Sequence, residues 1–562
     1  MQEIFQQNFL NIFELLFYFF HFSLIGSFFN RYLLKEKVST FGIIKINVLA
    51  LVIFYIGITL WNCFFPINSY IFVLFTGIAL YELYRLFNEK FFVEYKSQYS
   101  TGDLIIYMMI LSFIIWIANL SLQTLKYEPM YYIQKIRWAQ SFPLIPGLGN
   151  LHHHLGIDNS IFLQIAYFDN MIFINNSLWS FSGYYLLLGF MYFFIVPINE
   201  VIIKKAPIKK SSIVGVLFFP ILIHYCFYFH PGPVTDLPVF IFGAISGVEF
   251  YKIFIEKKNN YSLLLMSLAI AFTSKISILP TLFISFICII IFHRKYLLSY
   301  IIGNKYLTLI IVLMLSLQLY RNIILTGYPL YPDPKLSIPV KWSMDRDEVE
   351  SVSKLISDWA KGLRGTMVYN ENEEKQIKRD FIYSRFFIQH RRIETLYPTI
   401  IGVLGIIFII IQNRMLLKPL GVYSLPAIFQ IIMFFTHAPD GRFASFSFWW
   451  LGAGFISVPL TRVFIRNKIY FWFFLFIIIT ASISIHTIDM LGQEKKFFIN
   501  KISYDNPKVP EYSLYETNSG LKLNVPNNGQ KCDDCPLPCT TFLRDNLRLQ
   551  YDNDFKSGFY IR

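Results

Sequence analysis

The sequence predicts an all-α polytopic membrane protein with about 14 transmembrane helices. Two observations lead to this fold class. Of the 562 residues, 55% are hydrophobic, 19% aromatic and only 15% charged, whereas soluble proteins carry about 25% charged residues. Apolar runs of about 18 residues, such as "VLALVIFYIGITLWNCFF", are long enough to cross a bilayer as helices. A chain with so few polar groups needs lipid as its solvent.

The basic residues support the same class. The formal net charge is +14, and the lysines and arginines gather in short polar breaks such as "RYLLKEK", "KKAPIKK" and "HRKY". Such breaks are typical of cytoplasmic loops between spans. We therefore expect acidic membrane lipids, and no nucleic acid, as the partners of this charge. The N-terminal apolar run is too long and too aromatic for a signal peptide and has no small-residue cleavage site, so none is expected.

The basic breaks also mark where one expected span ends and the next begins. The expected spans are, in numbers, 9–29, 43–63, 67–87, 104–123, 179–199, 213–229, 235–255, a pair within 262–292, 307–326, 398–412, 420–437, 443–461 and 469–488. The run from Tyr261 to Phe292 is basic at both ends, so we expect two short helices of about 15 residues, bent at "TSKISILP".

We found no internal repeat, which favours one transmembrane domain over residues 1–490. Alternation of sides places two long loops on the outer face, at about 123–178 and 327–398. A polar C-terminal tail of mixed structure, residues 491–562, follows on the same face. Polar chemistry is therefore expected at the outer face.

Three of the six cysteines lie in the tail motif "CDDCPLPC" as Cys532, Cys535 and Cys539. On an oxidising outer face this spacing favours one disulfide and a spare thiol. A zinc or iron–sulfur site and three free thiols are the alternatives. The other cysteines fall in spans and are expected to be packing residues.

Ionisable residues within or beside spans are costly, which makes them candidates for function. Those predicted near the outer ends of spans are Glu128, His152, Asp158, Asp236, Lys275, Arg321, Asp440 and Arg442. Carboxylates can act as a base and cations can hold an anion. The combination is typical of an enzyme that acts on a lipid-borne phosphate.

Each candidate also has a structural interpretation. Asp440 and Arg442 can pair simply to tie two helices together, and Arg321 can reach towards the interface along its apolar stem. Asp158 can cap the helix that begins "NSIFLQIAYF". Lys275 lies between two short helices, where a purely structural role is harder to assign.

The segment "FPLIPGLGNLHHHLGIDNS" contains three consecutive histidines. A metal site requires side chains that converge on one point. If this segment is extended, His152 and His154 can converge while His153 diverges. We therefore expect no metal site at this run, and a binding role for His152 alone.

Six motifs in order resemble a family of bacterial multi-spanning membrane proteins that is itself similar to C-type (GT-C) glycosyltransferases. They are "KYEPMYYIQKIRWAQSFPLIPGLGNLHHHLGIDNS", "PVTDLPV", "TSKISILP", "RNIILTGYPLYP", "APDGRFA" and "CDDCPLPCT". The resemblance covers nearly the whole chain from about Tyr127. It implies a GT-C-like fold and transfer of a sugar from a polyprenyl-phosphate carrier at the outer face.

The resemblance assigns roles to residues. Glu128, where the family more often carries Asp, is the implied catalytic base, and Asp158 is the second choice. Lys275, Arg321 and Arg442 would stabilise the polyprenyl-phosphate leaving group, and His152 would donate a hydrogen bond. The remaining implied substrate- or phosphate-binding residues are Asn150, Asp236, Tyr328, Tyr331 and Asp440. No cofactor is certain, although some relatives recruit a divalent metal.

The leading hypothesis is thus a glycosyltransferase of the bacterial inner membrane, multi-pass, with its active site facing the periplasm. Its partners would be a polyprenyl-phosphate-linked sugar and a glycan, lipid or protein acceptor. An O-antigen-type polymerase or ligase is the first alternative. A transporter or flippase of lipid-linked glycans predicts charges at the bilayer midplane and repeats, and a structural scaffold leaves Lys275 and Arg321 without a role.

Overall fold

The chain was analysed as a computed structural model that is 75% helix. The structure describes residues 2–35, 40–89, 101–120, 131–169, 177–229, 232–363, 371–387, 392–412, 414–492, 509–528, 531–552 and 554–561. Long apolar helices make up most of these residues, and connecting segments and short strands pack on some of the helix ends.

The helices named below have the following bounds. They are α1 Gln2–Leu33, α2 Thr40–Phe64, α3 Ser69–Asn88, α4 Thr101–Leu120, α5 Tyr132–Ser141, α6 Ser160–Asp169, α7 Ser177–Phe190, α8 Lys210–Leu217, α9 Phe219–Phe229, α10 Asp236–Phe254, α11 Ser262–Ser274, α12 Leu279–Gly303, α13 Lys305–Thr326, α14 Arg346–Ala360, α15 Glu371–Phe387, α16 Leu396–Gln412, α17 Leu417–Thr436, α18 Ser445–Arg466 and α19 Lys468–Gly492. Two π-helical segments, Met191–Ile195 and Asn199–Ile203, extend α7.

Among the residues that the structure describes, 11 helices are long and apolar enough to cross a membrane. Three shorter apolar helices lie at Ser262–Ser274, Leu396–Gln412 and Ile469–Ser482. The prediction of a helical membrane protein is therefore confirmed at this level. Most of the expected spans coincide with a single helix, because uninterrupted apolar runs have no other way to satisfy their backbone groups in lipid.

The expected pair of short helices within 262–292 is only partly correct. Helix α11 has 13 residues and ends at the predicted bend. Helix α12 has 25 residues and continues to Gly303, so it is not short, although its backbone departs from helical geometry at His293. The basic residues "HRK", which were expected to end the span, instead lie inside this longer helix.

Hydroxyl groups of buried tyrosines join helices in the interior. The hydroxyl of Tyr184 donates to Asn47 Oδ1 at 3.0 Å, and that of Tyr251 lies 2.9 Å from Ser457 Oγ. Tyr18 and Ser180 make a similar pair at 2.9 Å. In an apolar interior such hydrogen bonds remove the cost of burying a phenol. This arrangement explains how the bundle holds so many tyrosines.

One end of the bundle, which we call the loop face, is formed by residues 131–159, 327–363, 509–528, 531–552 and 554–561 together with the helix ends to which they attach. Backbone hydrogen bonds attach these segments to helix ends, as from Leu144 N–H to Asn62 O at 2.7 Å and from Gly147 N–H to Ile324 O at 2.8 Å. Helix α13 ends at Thr326, and the next residue, Gly327, has a φ of +86°, which favours glycine. A Cβ there would lie 2.3 Å from Ser343 Oγ, so the chain can turn back tightly onto the bundle.

The C-terminal segment packs on the loop face. It contains the antiparallel pairs β1 Tyr512–Glu516 with β2 Lys522–Pro526, and β3 Leu547–Leu549 with β4 Phe559–Ile561. Leucines of these strands share a core with Trp138 and Leu151. The tail thus covers the segment that carries the three histidines.

Candidate functional site

Four charged side chains from three separate segments of the sequence meet at the loop face. Asp236 begins α10, Lys275 lies between α11 and α12, and Asp440 and Arg442 lie in the turn between α17 and α18. The Lys275 ammonium donates a hydrogen bond to the Asp236 carboxylate. Arg442 Nη1 lies 3.6 Å from Asp236 Oδ2, and Arg442 Nε donates to Asp440 Oδ1 at 3.0 Å. We call these residues the Asp236 cluster.

Local backbone structure positions the two cations. At Lys275 the chain leaves α11 in an extended conformation, with φ −165° and ψ 131°. Pro280 is the second residue of α12, a position where proline favours the start of a helix. In the other turn, Asp440 accepts the backbone N–H of Arg442 at 3.2 Å. A Cβ on Gly441 would lie 2.1 Å from Glu394 Oε2, so only glycine lets this turn approach the buried Glu394.

The Asp236 cluster is charge-balanced and partly accessible. Its two cations face two carboxylates, and the Lys275 side chain keeps 24% of its surface exposed while that of Asp236 keeps 6%. The Phe443 ring lies 4.0 Å from Lys275 Nζ, and the exposed Trp359 ring lies 5.1 Å from the Arg442 guanidinium carbon. The two cations of the cluster therefore lie beside aromatic rings.

A second group of polar residues surrounds Asp158 beside α13. Arg321 Nε and Nη2 donate to the two oxygens of Asp158 at 2.8 and 3.2 Å. The remaining Arg321 nitrogen, Nη1, donates to Asn62 Oδ1 at 2.9 Å. Lys135 Nζ lies 3.8 Å from Asp158 Oδ1, beside a cavity of about 20 Å³. Arg321 is 2% exposed, so it is buried in this group and does not reach the interface along its stem.

The same contacts define what Asp158 can do. Burial alone would raise the pKa of Asp158, but the charges of Arg321 and Lys135 outweigh it, so the pKa is lowered from its ordinary value. A carboxylate that is held ionised by a bidentate partner is a weak base. The structure therefore favours a positioning role for Asp158 over its predicted catalytic one, and the Arg321 guanidinium already has partners on all three nitrogens.

The two polar groups adjoin each other at the end of α11. Ser160 Oγ, two residues after Asp158, lies 3.2 Å from Ser274 Oγ, the residue before Lys275. Both serines are buried. The predicted candidates Asp158, Asp236, Lys275, Arg321, Asp440 and Arg442 therefore lie in one continuous region of the loop face.

The three histidines lie in a tight turn. His152 Nδ1 accepts the backbone N–H of His154 at 3.2 Å, and a 3-10 helix spans His153–Gly156. The segment is therefore not extended, and the expectation that His153 would diverge from its neighbours is wrong. Burial lowers the pKa of His153 to about 3 and that of His154 to about 4, so both imidazoles are neutral at physiological pH.

Three residues that the resemblance assigned to substrate binding make packing contacts between loop segments. Asn150 Nδ2 donates to the carbonyls of Trp342 at 2.9 Å and Phe559 at 3.1 Å. The Tyr328 hydroxyl donates to Met344 O at 3.2 Å, and the Tyr331 hydroxyl donates to His153 O at 3.0 Å. These contacts indicate that Asn150, Tyr328 and Tyr331 hold the loop face together.

The predicted base, Glu128, lies outside the described residues, which resume at residue 131 after α4. Sequence reasoning missed Lys135 and Glu394, which the structure adds to the region. Glu394 Oε1 lies 3.9 Å from Nε2 of the buried His224. The sequence gives little signal for either residue, because each has other charged or polar residues beside it, in "YIQKIRW" for Lys135 and in "RRIETLYP" for Glu394.

A divalent metal does not fit the carboxylates of the Asp236 cluster. Metal ions such as Mg²⁺ and Mn²⁺ bind free carboxylate oxygens. Asp236 and Asp440 already contact Lys275 and Arg442, and a metal ion would have to sit beside these two cations. No step of the proposed chemistry is therefore assigned to a metal.

A larger cavity of about 300 Å³ lies near the opposite ends of the helices, lined by Lys209, Glu249 and Lys252 among others. Lys252 Nζ donates to Glu249 Oε1 at 2.6 Å. The 16-residue separation of Asp236 and Lys252 in α10 places this cavity about 24 Å from the Asp236 cluster. The described cavity therefore does not belong to the candidate site.

In the tail, a disulfide joins Cys532 and Cys539. The Cys535 thiol is free and buried. This pairing corresponds to the interpretation of one disulfide and a spare thiol. The bridge closes the loop whose Asp534 pairs with Arg137 at 2.7 Å, which attaches the tail to α5.

Comparison with known proteins places this architecture in a family without assigning an activity. A search of curated proteins and a search of solved structures found no match. The model of the family described as "Domain of unknown function (DUF8201)" matches residues 9–450. The match includes the Asp236 cluster and ends before the tail and its cysteine motif. The chain therefore belongs to the DUF8201 family.

Proposed function

We propose that this protein is a GT-C-like glycosyltransferase that moves a sugar from a polyprenyl-phosphate-linked donor to a glycan, lipid or protein acceptor. The observation that supports the proposal most strongly is the Asp236 cluster. Two cations, Lys275 and Arg442, lie beside two carboxylates at the ends of apolar helices, and the side chain of Lys275 is partly exposed. Cations held at the ends of apolar helices in this way are suited to bind a lipid phosphate.

The proposed topology follows from the same arrangement. We take the loop face as the periplasmic side of the bacterial inner membrane, because the basic breaks between spans point to the other side. If the three shorter apolar helices cross the membrane as well as the 11 longer ones, the bundle has 14 spans. The tail residues 491–562 would then be periplasmic, where a disulfide persists.

The proposed reaction is a direct displacement with inversion. The acceptor oxygen forms a bond to the anomeric carbon, the bond between that carbon and the phosphate oxygen breaks, and the phosphate keeps the electron pair. Lys275 and Arg442 would stabilise this negative charge. Glu128 would take the proton of the acceptor hydroxyl. Asp158 and Arg321, which bind each other, would position the neighbouring wall of the site.

In the Asp236 cluster, two carboxylates balance the charges of two cations. Asp236 contacts both cations, so before the donor binds it would keep them neutralised and oriented at low cost in the apolar bundle. When the phosphate arrives, it would share these cations with Asp236. Trp359 and Phe443 would provide the apolar and aromatic surface next to the phosphate.

The test is sugar transfer in membranes that contain the protein, with polyprenyl-phosphate sugars as donors. Lys275→Met and Arg442→Met should each lower the rate about 100-fold, the usual effect of removing one group that stabilises developing charge. Arg346→Met is the matched control, because Arg346 is 70% exposed on the same face, and its rate should stay unchanged. Wild-type rates in both cluster variants would contradict the proposal.

A panel of donors separates the proposal from its alternatives. A polymerase or ligase would accept a whole lipid-linked glycan in place of a single sugar. A flippase would move labelled donor across the membrane without forming any new glycosidic bond. A comparison of the surface glycans of a deletion strain and its parent by mass spectrometry would identify the product.

A further inference from the structure

We propose that His152, His153 and His154 form a binding site for one divalent transition-metal ion, with Zn²⁺ as the best-fitting class. This inference does not depend on the proposed glycosyl transfer. One ring nitrogen from each of the three residues lies within 4.8 Å of the other two. The site belongs to the loop face, outside every candidate span.

The tight turn produces the convergence that the sequence argued against. The backbone is extended only at His152, with φ −155° and ψ 119°, and then enters the 3-10 helix His153–Gly156. As a result the ring centroids are 5.1 Å apart for His152 and His153, 5.4 Å for His152 and His154, and 4.1 Å for His153 and His154. The three rings share one small volume.

Ring nitrogens are available for coordination. Nε2 of His153 and Nδ1 of His154 are buried and have no hydrogen-bond partner among the described residues. His152 accepts one long hydrogen bond from the backbone at Nδ1, which places the proton of the neutral ring on Nε2. Coordination through Nε2 therefore requires the tautomer with its proton on Nδ1 and gives up this hydrogen bond. Unpartnered buried nitrogens are unusual in folded proteins, and a metal ion would satisfy them at once.

The required closure is small. Zinc binds histidine nitrogen at about 2.0–2.1 Å in tetrahedral geometry, which puts ligand nitrogens about 3.3 Å apart. The nitrogens therefore have to approach one another by at most about 1.5 Å, which rotation of the side chains can supply. Three protein ligands leave a fourth position open, as in zinc sites that keep a water molecule.

The surroundings are compatible with a cation. Phe542 covers the cluster, with its ring centroid 4.7 Å from that of His152 and 4.3 Å from that of His153. Arg544, whose charge acts on His152 and His153, is paired with Glu348 at 2.7 Å, so its charge is compensated. Three imidazoles without a carboxylate or thiolate favour Zn²⁺ and Cu²⁺ over Mg²⁺ or Ca²⁺.

An aromatic stack is the competing explanation. Tyr131 stacks on His154 at 4.9 Å, and Phe542 packs against the other two rings. In that case the imidazoles would act as flat, neutral packing groups and would not bind metal. Both explanations predict a folded loop face, so metal content is the property that separates them.

The experiment is metal analysis of the purified full-length protein in detergent. The protein is stripped with a chelator, incubated with Zn²⁺, passed through a desalting column and measured by elemental mass spectrometry, and Co²⁺ is added separately to record the absorption of tetrahedral cobalt. Wild type should retain one zinc per chain. His153→Ala and His154→Gln should each bind Zn²⁺ at least about tenfold more weakly.

His437→Ala is the matched control, since His437 is an exposed histidine on the loop face outside the cluster, and it should retain zinc as wild type does. A chromatographic profile equal to that of wild type shows that each variant is folded, and His154→Gln covers the case in which His153→Ala is not. Zinc retention below 0.1 per chain in wild type, or equal retention in wild type and folded variants, would overturn the proposal.

Discussion

Removing Arg321 should strongly destabilise the protein because it leaves a charge buried. Asp158 and Arg321 keep 1% and 3% of their side-chain surfaces exposed, and two hydrogen bonds join them. Breaking such a buried pair from one side costs about 3–5 kcal/mol. Lys135, which lies 3.8 Å from the Asp158 carboxylate, still compensates part of the charge. We therefore expect Arg321→Met to lose about 3 kcal/mol of unfolding free energy.

The double variant Asp158→Asn/Arg321→Met tests whether the unpaired buried charge causes this loss. Asp158→Asn alone leaves two buried cations close together and should cost about 3–4 kcal/mol. In the double variant only Lys135 stays charged, and its ammonium can lose its proton. The double variant should therefore lose at least about 1.5 kcal/mol less than the sum of the single variants.

The assay is unfolding of purified protein by SDS in mixed detergent micelles, followed by circular dichroism and tryptophan fluorescence. Arg346→Met is the control, because Arg346 and its partner Glu350 are exposed and such pairs contribute less than about 0.5 kcal/mol. Stability of Arg321→Met equal to that of the control, or strictly additive losses in the cycle, would refute the reasoning.

Three further predictions rest on other parts of the structure. Burial lowers the pKa of Lys135 to about 8, so between about pH 8 and pH 10.5 the unfolded chain binds a proton that the folded chain has lost. The free energy of unfolding should therefore rise with pH in this window. In thermal unfolding, Lys135→Met should show a smaller rise than wild type. A Cβ on Gly26 would lie 2.1 Å from Ile46 O, so Gly26→Ala should cost about 1–3 kcal/mol, whereas Gly77→Ala, with nothing within 4 Å, should not destabilise. Burial raises the pKa of the Cys535 thiol to about 11. At pH 7 a maleimide should therefore react with this cysteine at least about tenfold more slowly in the folded protein than in the denatured protein. Equal rates would show that the thiol is not protected.

Much of the fold was predictable because lipid imposes a simple rule. A run of about 20 apolar residues in a bilayer has to be a helix, so the positions of helices such as α2 and α13 follow from hydropathy. The length of α12 was not predictable in this way. The basic residues from His293 to Lys295 were interpreted as the end of a span. A helix can, however, continue beyond the hydrocarbon core into water.

The site was predictable in part. Ionisable residues near span ends identified Asp236, Lys275 and Arg442, because burying a charge in an apolar bundle requires a partner. The partners themselves depend on which helices are neighbours, and a single sequence does not contain that information. Lys135 was missed for this reason.

The three histidines show the same limit at short range. Because the three residues are consecutive, their side chains were expected to diverge in an extended segment. The turn that follows Gly147, whose φ is +65°, and the 3-10 helix after His152 instead gather the rings. Local backbone geometry, which composition does not determine, decides whether consecutive side chains meet.

The most direct test of the central claim is binding and turnover of a polyprenyl-phosphate sugar by the purified protein in lipid nanodiscs. With a radiolabelled donor and an acceptor extract, wild type should form labelled glycan. Lys275→Met and Arg442→Met should form about 100-fold less, while Arg346→Met should match wild type. Equal product from wild type and both cluster variants, or no product from any donor tested, would contradict the account.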